Sequence, residues 1–295
     1  MSDKKVKPEP EPEQKEENTQ AEAGSEQKEE GAQPEAKPEE KKEIINSEII
    51  GKKVFFLNPS VNIQNQIMDE LSQHEYEVYT VKNSAHLTRV LKKYTDSIVY
   101  INLDDTQKAE AEKWIDMIAG AVPDVMVGIF SSSNDEALKD KYVKKPKVKC
   151  GFINIRFEMK KTVQQIIMIL ESMNVKGRRK YLRATTENEE TATINMPQGG
   201  GNFVNGAIKD ISAVGFSCTF EEDPGLVKNT LYKDIQIRLH TMLIKAEAIV
   251  FGSRIENDKK VYVLLFSQRV DPGVSVKVRK YIQQNLQHKM EENYK

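Results

Sequence analysis

What this chain has little of narrows it first. Only two cysteines occur in 295 residues, Cys150 and Cys218, far apart and in stretches that read as strands. That usage excludes a disulfide framework and predicts buried, reduced thiols. The four histidines, His74, His86, His240 and His288, show no ligand spacing with the cysteines, so no metal site is expected. No apolar run approaches the ~20 residues needed to span a bilayer, and no membrane insertion is expected. The opening residues Met-Ser-Asp-Lys-Lys lack the apolar core of a secretory signal, which leads to the expectation of a cytoplasmic protein. No Ser/His/Asp set and no paired carboxylates can be assembled, so the chain is expected not to be an enzyme.

Aromatics are absent before Phe55. Residues 1–43 instead hold 14 acidic and 8 lysine side chains. With almost nothing to bury, residues 1–46 cannot offset the entropy of ordering and are expected to form a disordered tail rich in Glu, Lys and Pro. The formal charge of −1 leaves the remainder only modestly basic, which argues against a DNA- or RNA-binding surface. Arginine is scarce too, nine of 44 basic residues, yet three of the nine, Arg178, Arg179 and Arg183, fall within six positions. Lysine is a hydrated point charge, whereas arginine is a planar fork matched to phosphate oxygens or a guanine edge. The run 176–184 therefore reads either as a solvated basic linker or as a grip for something planar and anionic.

From 47 to 175 short apolar strands alternate with helical stretches. Strands are expected at 54–57, 76–81, 98–101, 125–130 and 150–153. Helices carry Ile63, Ile67 and Leu71, then Leu87, Val90 and Leu91, then Trp114, Met117 and Ile118, and finally Val163, Ile166, Ile167 and Leu170. Continuous apolar strands in this order predict a five-stranded, doubly wound parallel sheet. From 176 to 295 the period falls to two, through Ala192, Ile194 and Met196, then 214–220, 235–239, 244–250 and 261–265. Alternation with no intervening helix predicts an antiparallel β-barrel. Val274, Val278, Ile282 and Leu286 then mark one face of a C-terminal helix. The fold class is thus α/β plus all-β. Gly199-Gly200-Gly201 reads as a hairpin connection, because no Lys-Ser/Thr pair follows it.

The layout of 47–175 resembles the receiver domain of two-component signalling. That resemblance implies an acidic pair after strand one, where Asn58 and Pro59 stand, and a phospho-accepting aspartate closing strand three, where Asn102 stands with Asp104 and Asp105 just beyond. A hydroxyl is supplied by Ser131 or Ser132, and Ile155 takes the expected lysine's place. Without the acidic pair there is little to hold the ion that phosphoryl transfer needs. A pseudo-receiver with a docking or dimerising role is expected; phosphorylation at Asp104 is the rival reading.

In the β region, Asp210-Ile211-Ser212-Ala213-Val214-Gly215 reads as a tight turn. It also places a carboxylate and a hydroxyl on one side of an extended stretch. Asp210 is then an acceptor suited to the N1–H and N2–H donors of guanine, Ser212 can donate or accept beside it, and Gly215 allows close approach. Arg179 and Arg183 form RxxxR, and Asp210 to Gly215 matches [D/N]xSxxG. The pair resembles the PilZ domain, the bacterial receptor for cyclic di-GMP. The resemblance implies that Arg179 and Arg183 fold over the ligand from a flexible segment, that Asp210 and Ser212 hold a guanine, and that Gly215 keeps their turn tight. It implies that Arg178 favours a stacked pair of ligand molecules. It further implies an effector whose output is contact with an unidentified protein partner in motility, adhesion or virulence, with cyclic di-GMP as ligand and no cofactor. The alternative is a PilZ-like adaptor that binds no nucleotide.

Overall fold

The computed structural model describes residues 51–156, 158–186, 191–268 and 271–293. The expected tail at 1–46 lies outside them. Five parallel strands, β1 (Lys53–Leu57), β2 (Val78–Val81), β3 (Ser97–Asn102), β4 (Met126–Ser131) and β5 (Phe152–Asn154), lie in the order β2-β1-β3-β4-β5. A π-helical stretch, Ile63–Met68, runs into α1 (Asp69–Gln73); α2 (Ser84–Lys93), α3 (Lys108–Ala121), α4 (Glu136–Val143) and α5 (Met159–Ser172) follow. Successive strand residues face opposite sides. Phe55 and Leu57 join the core under α2, α3 and α4, while Val54 and Phe56 join the core under Ile63, Ile67, Leu71 and α5. Helices on both faces are the doubly wound arrangement that the apolar strands predicted.

Local chemistry moves several boundaries. Glu75 takes a positive φ, and the Tyr76 N–H donates to the Leu71 carbonyl, so 76–77 close the helix before them and β2 starts at Val78. Gly151, also at positive φ, delays β5 to Phe152, leaving Cys150 just before it. Helix α4 was not among the expected elements. It buries only Leu138 and Tyr142, and Asp135 caps it by accepting from the Ala137 and Leu138 N–H groups.

The second sheet contains β6 (Arg183–Thr185), β7 (Ala192–Gly199), β8 (Asn202–Ser212), β9 (Gly215–Phe220), β10 (Leu231–Leu239), β11 (Met242–Glu256) and β12 (Lys259–Phe266). Strands run in the order β8-β7-β10-β11-β12-β9, and β9 pairs back onto β8, closing a six-stranded antiparallel barrel with β6 as an added edge on β8. Ile194, Met196, Ile208, Ile237, Ala248 and Leu264 fill it. Both cysteines are free and buried. Burial pushes the Cys150 thiol up to about 12 and raises that of Cys218 as well.

The long C-terminal helix α6 (Pro272–Asn293) serves two cores. Val274, Val278, Tyr281 and Ile282 pack into the barrel, whereas Met290 belongs to the α/β core and Leu286 touches both. Strand β2 is an edge strand, and the Gln287 amide satisfies its open edge: the Thr80 N–H donates to Gln287 Oε1 at 2.9 Å and Gln287 Nε2 donates to the Thr80 carbonyl at 3.0 Å.

Candidate ligand-binding cleft

The site grows from one hairpin. Ala213 and Val214 connect β8 to β9, with Ser212 opposite Gly215, Ile211 opposite Phe216 and Asp210 opposite Ser217. Ser212 Oγ donates to the Gly215 carbonyl at 3.0 Å and fastens the turn. Glycine at 215 is required by proximity rather than by φ: a Cβ there would overlap the Leu264 carbonyl oxygen and come within 3.0 Å of Leu265 Cα on β12. Just beyond Asp210 the ladder slips at Lys209, a bulge of the kind that commonly ends regular pairing beside a site. Ser217 Oγ donates to the Asp210 carboxylate.

Arg183 opens β6 opposite Ser212, which brings its guanidinium within 3.7 Å of the Asp210 carboxylate. Arg183, Asp210, Ser212 and Gly215 thus line one cleft of about 300 Å³, whose other wall includes Phe251 and Arg254. The Asp210 side chain keeps 28% of its surface open. A partly desolvated carboxylate, a hydroxyl and a guanidinium converging on an apolar wall suit a planar ligand carrying both N–H donors and negative charge.

The other two arginines are elsewhere. Arg178 and Arg179 are exposed, and Arg179 borders a smaller crevice of about 50 Å³ with Lys52, Glu75, Glu77 and Tyr181; Arg183 borders both cavities. The segment between them is pinned at its end. The Leu182 N–H donates to Glu75 Oε2 at 2.9 Å, and Arg279 Nε of α6 donates to the same carboxylate's Oε1 at 2.9 Å. At its start Lys176 Nζ lies 4.5 Å from the centre of the Tyr76 ring.

The receiver-like positions of the first sheet are tied to one another. Ser131 Oγ donates to Asp104 at 3.1 Å, and the Ser132 N–H reaches both carboxylate oxygens at 3.0 and 2.9 Å. Asn102 Nδ2 donates to Asp105 at 2.6 Å, and Asn58 Nδ2 donates to the Asp105 carbonyl at 3.0 Å. Among the described residues no group of three or more His, Cys, Asp or Glu could hold a metal ion.

Ser217, Phe251 and Arg254 were not anticipated. Counting back from a two-residue turn at 213–214 places Ser217 opposite Asp210, so that signal was present. Phe251 falls on the outward face that the alternation of 244–250 assigns, but nothing in the sequence puts that face beside the 210–215 turn, and Arg254 lies past a bulge between Val250 and Gly252.

No protein-family model matches the sequence, and no curated protein matches it. Among solved structures the chain is similar to the PilZ domain with c-di-GMP of YcgR from Escherichia coli, at 15% identity and a TM-score of 0.33, over 39% of this chain and 96% of that one. It is similar to the Bacillus subtilis inhibitor of motility, MotI/DgrA, at 19% identity and 0.32, over 38% of this chain and 53% of that one. A response regulator from Thermotoga maritima is similar at 19% identity and 0.36, over 41% of this chain and 99% of that one. The chain spans about half the length of the inhibitor of motility it resembles.

Proposed function

We propose that this chain is a cyclic di-GMP effector, a non-enzymatic bacterial cytoplasmic protein that converts ligand binding into a change of contact with a protein partner. The observation that carries the reading is the convergence of Arg183, Asp210, Ser212 and Gly215 on one cleft, where the second arginine of the first motif meets a motif that begins 27 residues later. Asp210 accepts from the guanine N1–H and N2–H groups, displacing the Ser217 hydroxyl and drawing Arg183 off its 3.7 Å pairing toward phosphate. Ser212 adds a polar contact at the rim.

Arg178 and Arg179 complete the site by moving. A bound diphosphate ring attracts Arg179 out of the crevice beside Glu75 and Glu77, and the 176–182 segment follows it. That segment joins the two sheets and is pinned by Glu75, so the ligand biases an arrangement that also involves α6. Arg178 then favours a stacked pair of ligands over one.

Calorimetry with the full chain and cyclic di-GMP, paired with light scattering, tests this. Micromolar or tighter binding is expected, with a stoichiometry of two, and the Arg179→Ala, Arg183→Ala double variant should lose it. No binding by the wild-type chain, or undiminished binding by that variant, would overturn the reading in favour of an adaptor that takes no nucleotide.

A further inference from the structure

The cleft is larger in reach than its two motifs. Its volume of about 300 Å³ is at the lower end of the range for small-molecule sites, roughly 300–1,000 Å³. A cyclic dinucleotide seated by one guanine against Asp210 and Ser212 therefore extends past the motif residues onto the adjoining wall. That wall is unusual. Phe251 on β11 leaves 61% of its surface in water although it lines the cleft. Arg254, three residues on, lines it too, its Nε donating to Glu256. Glu256 also accepts from Lys209, so two cations share one carboxylate.

An exposed phenyl ring beside a cleft gains when an aromatic surface covers it. Its neighbours favour such a cover. Val263 and Leu265 of β12 line the same wall, and Leu265 is itself 39% exposed. A flat apolar surface bordered by a guanidinium suits a heteroaromatic base with an adjoining phosphate, because base–ring stacking needs only a π-face and tolerates any purine.

Building on the effector reading, we infer that Phe251 and Arg254 form a second seat in the cleft, the ring stacking on a purine base of the cyclic dinucleotide and the guanidinium meeting its phosphate. Neither residue belongs to the two sequence motifs. The first guanine is recognised by its edge at Asp210; the seat on β11 holds by its face and by charge. Selectivity for guanine then resides at Asp210, and the β11 wall contributes affinity without base preference.

The test uses the full chain, titrated calorimetrically with cyclic di-GMP. Phe251→Ala is expected to weaken binding about ten- to hundredfold, while Phe251→Tyr retains it. Arg254→Gln is expected to weaken binding several-fold and to flatten its salt dependence. A direct signature comes from Phe251→Trp in a Trp114→Phe background, whose single indole should be quenched by the stacked base. The residue is exposed, so circular dichroism should show the Phe251→Ala variant folded. If wild type and Asp210→Ala bind differently but Phe251→Ala matches wild type, or if the indole emission is unchanged at saturation, the second seat is overturned and the effector reading stands. If the wild-type chain binds nothing, both fall.

Discussion

The two sheets of this molecule each carry an aspartate just past or near the end of a strand, and the two carboxylates have opposite fates. Asp104 is consumed by its own framework: the Ser131 hydroxyl and the Ser132 amide hold both of its oxygens. Asp210 has one neighbouring hydroxyl, a loose guanidinium at 3.7 Å and an open cleft in front of it. A ligand arriving at Asp104 competes with hydrogen bonds already made to both oxygens, at 2.9 to 3.1 Å. At Asp210 it exchanges one for two or more. The difference teaches that a carboxylate's usefulness depends on how much of its hydrogen-bonding capacity the fold has already taken, which residue type alone does not reveal.

The sharpest way to break the comparison is to exchange the outcomes. Asp210→Ala is expected to abolish measurable cyclic di-GMP binding, a loss of at least about a hundredfold for an acceptor of two hydrogen bonds, and to cost about 1 kcal/mol of stability by leaving the buried Ser217 hydroxyl without its acceptor. Asp104→Ala should leave calorimetric affinity unchanged while costing a similar amount, about 1 kcal/mol, through the buried Ser131 hydroxyl; acetyl phosphate should label neither the wild type nor this variant.

Next in size is the glycine beneath the cleft. Gly215→Val forces the Leu264 carbonyl and Leu265 backbone apart, and urea denaturation should show a loss of about 1–3 kcal/mol or more. Gly128 on β4 is the matching test in the first sheet. A Cβ there meets the Tyr100 ring, which is fully buried and stacked against Phe56 and Phe130, so Gly128→Ala should also destabilise by about 1–3 kcal/mol in urea denaturation.

Glu75 tests the connection between the sheets. Glu75→Gln keeps the shape and removes the charge that pins Leu182 and Arg279. A stability loss of about 1 kcal/mol is expected, and ligand affinity should rise several-fold because the arginine segment is freer to move. Unchanged affinity would show that the pin and the cleft are independent.

The smallest effect concerns acid. Hydrogen bonds from Tyr262, the Gly225 amide and Lys260 hold the Asp223 carboxyl down at about 2. Its folded pKa lies below its ordinary value of 3.8. It therefore stabilises the barrel above about pH 4, and that contribution disappears as pH falls from about 4 toward 2. Half of the side chain is exposed, so screening keeps the effect small. Asp223→Asn should flatten the acid limb of the midpoint-versus-pH curve in that window by lowering neutral stability by the same small amount.

Much of this architecture could be read from hydrophobic period, and the departures have physical causes. The strand cores 54–57, 98–101 and 125–130 were legible because both faces are buried and apolar residues run without a break. Strand β8 was hidden, since its first half, Asn202-Phe203-Val204-Asn205-Gly206, does not alternate and leaves Phe203 nearly half exposed. Arg183 read as linker because a basic run says nothing about pairing, yet it enters the sheet opposite Ser212. The cleft's motif residues were legible as spacing. Phe251 and Arg254 were not, because only the folded barrel brings β11 beside the 210–215 turn, and a bulge before Gly252 shifts the faces beyond it.

Helix α6 has a bearing on how the molecule is made. Met290 completes a core whose other members, from Phe55 to Val148, leave the ribosome long before it. Until α6 is synthesised, no residue local to the first sheet can take the place that Met290 fills in its core. Completion of the first half's core thus depends on the last turns of the chain, and a product that stops before residue 290 leaves that part of the core open to water.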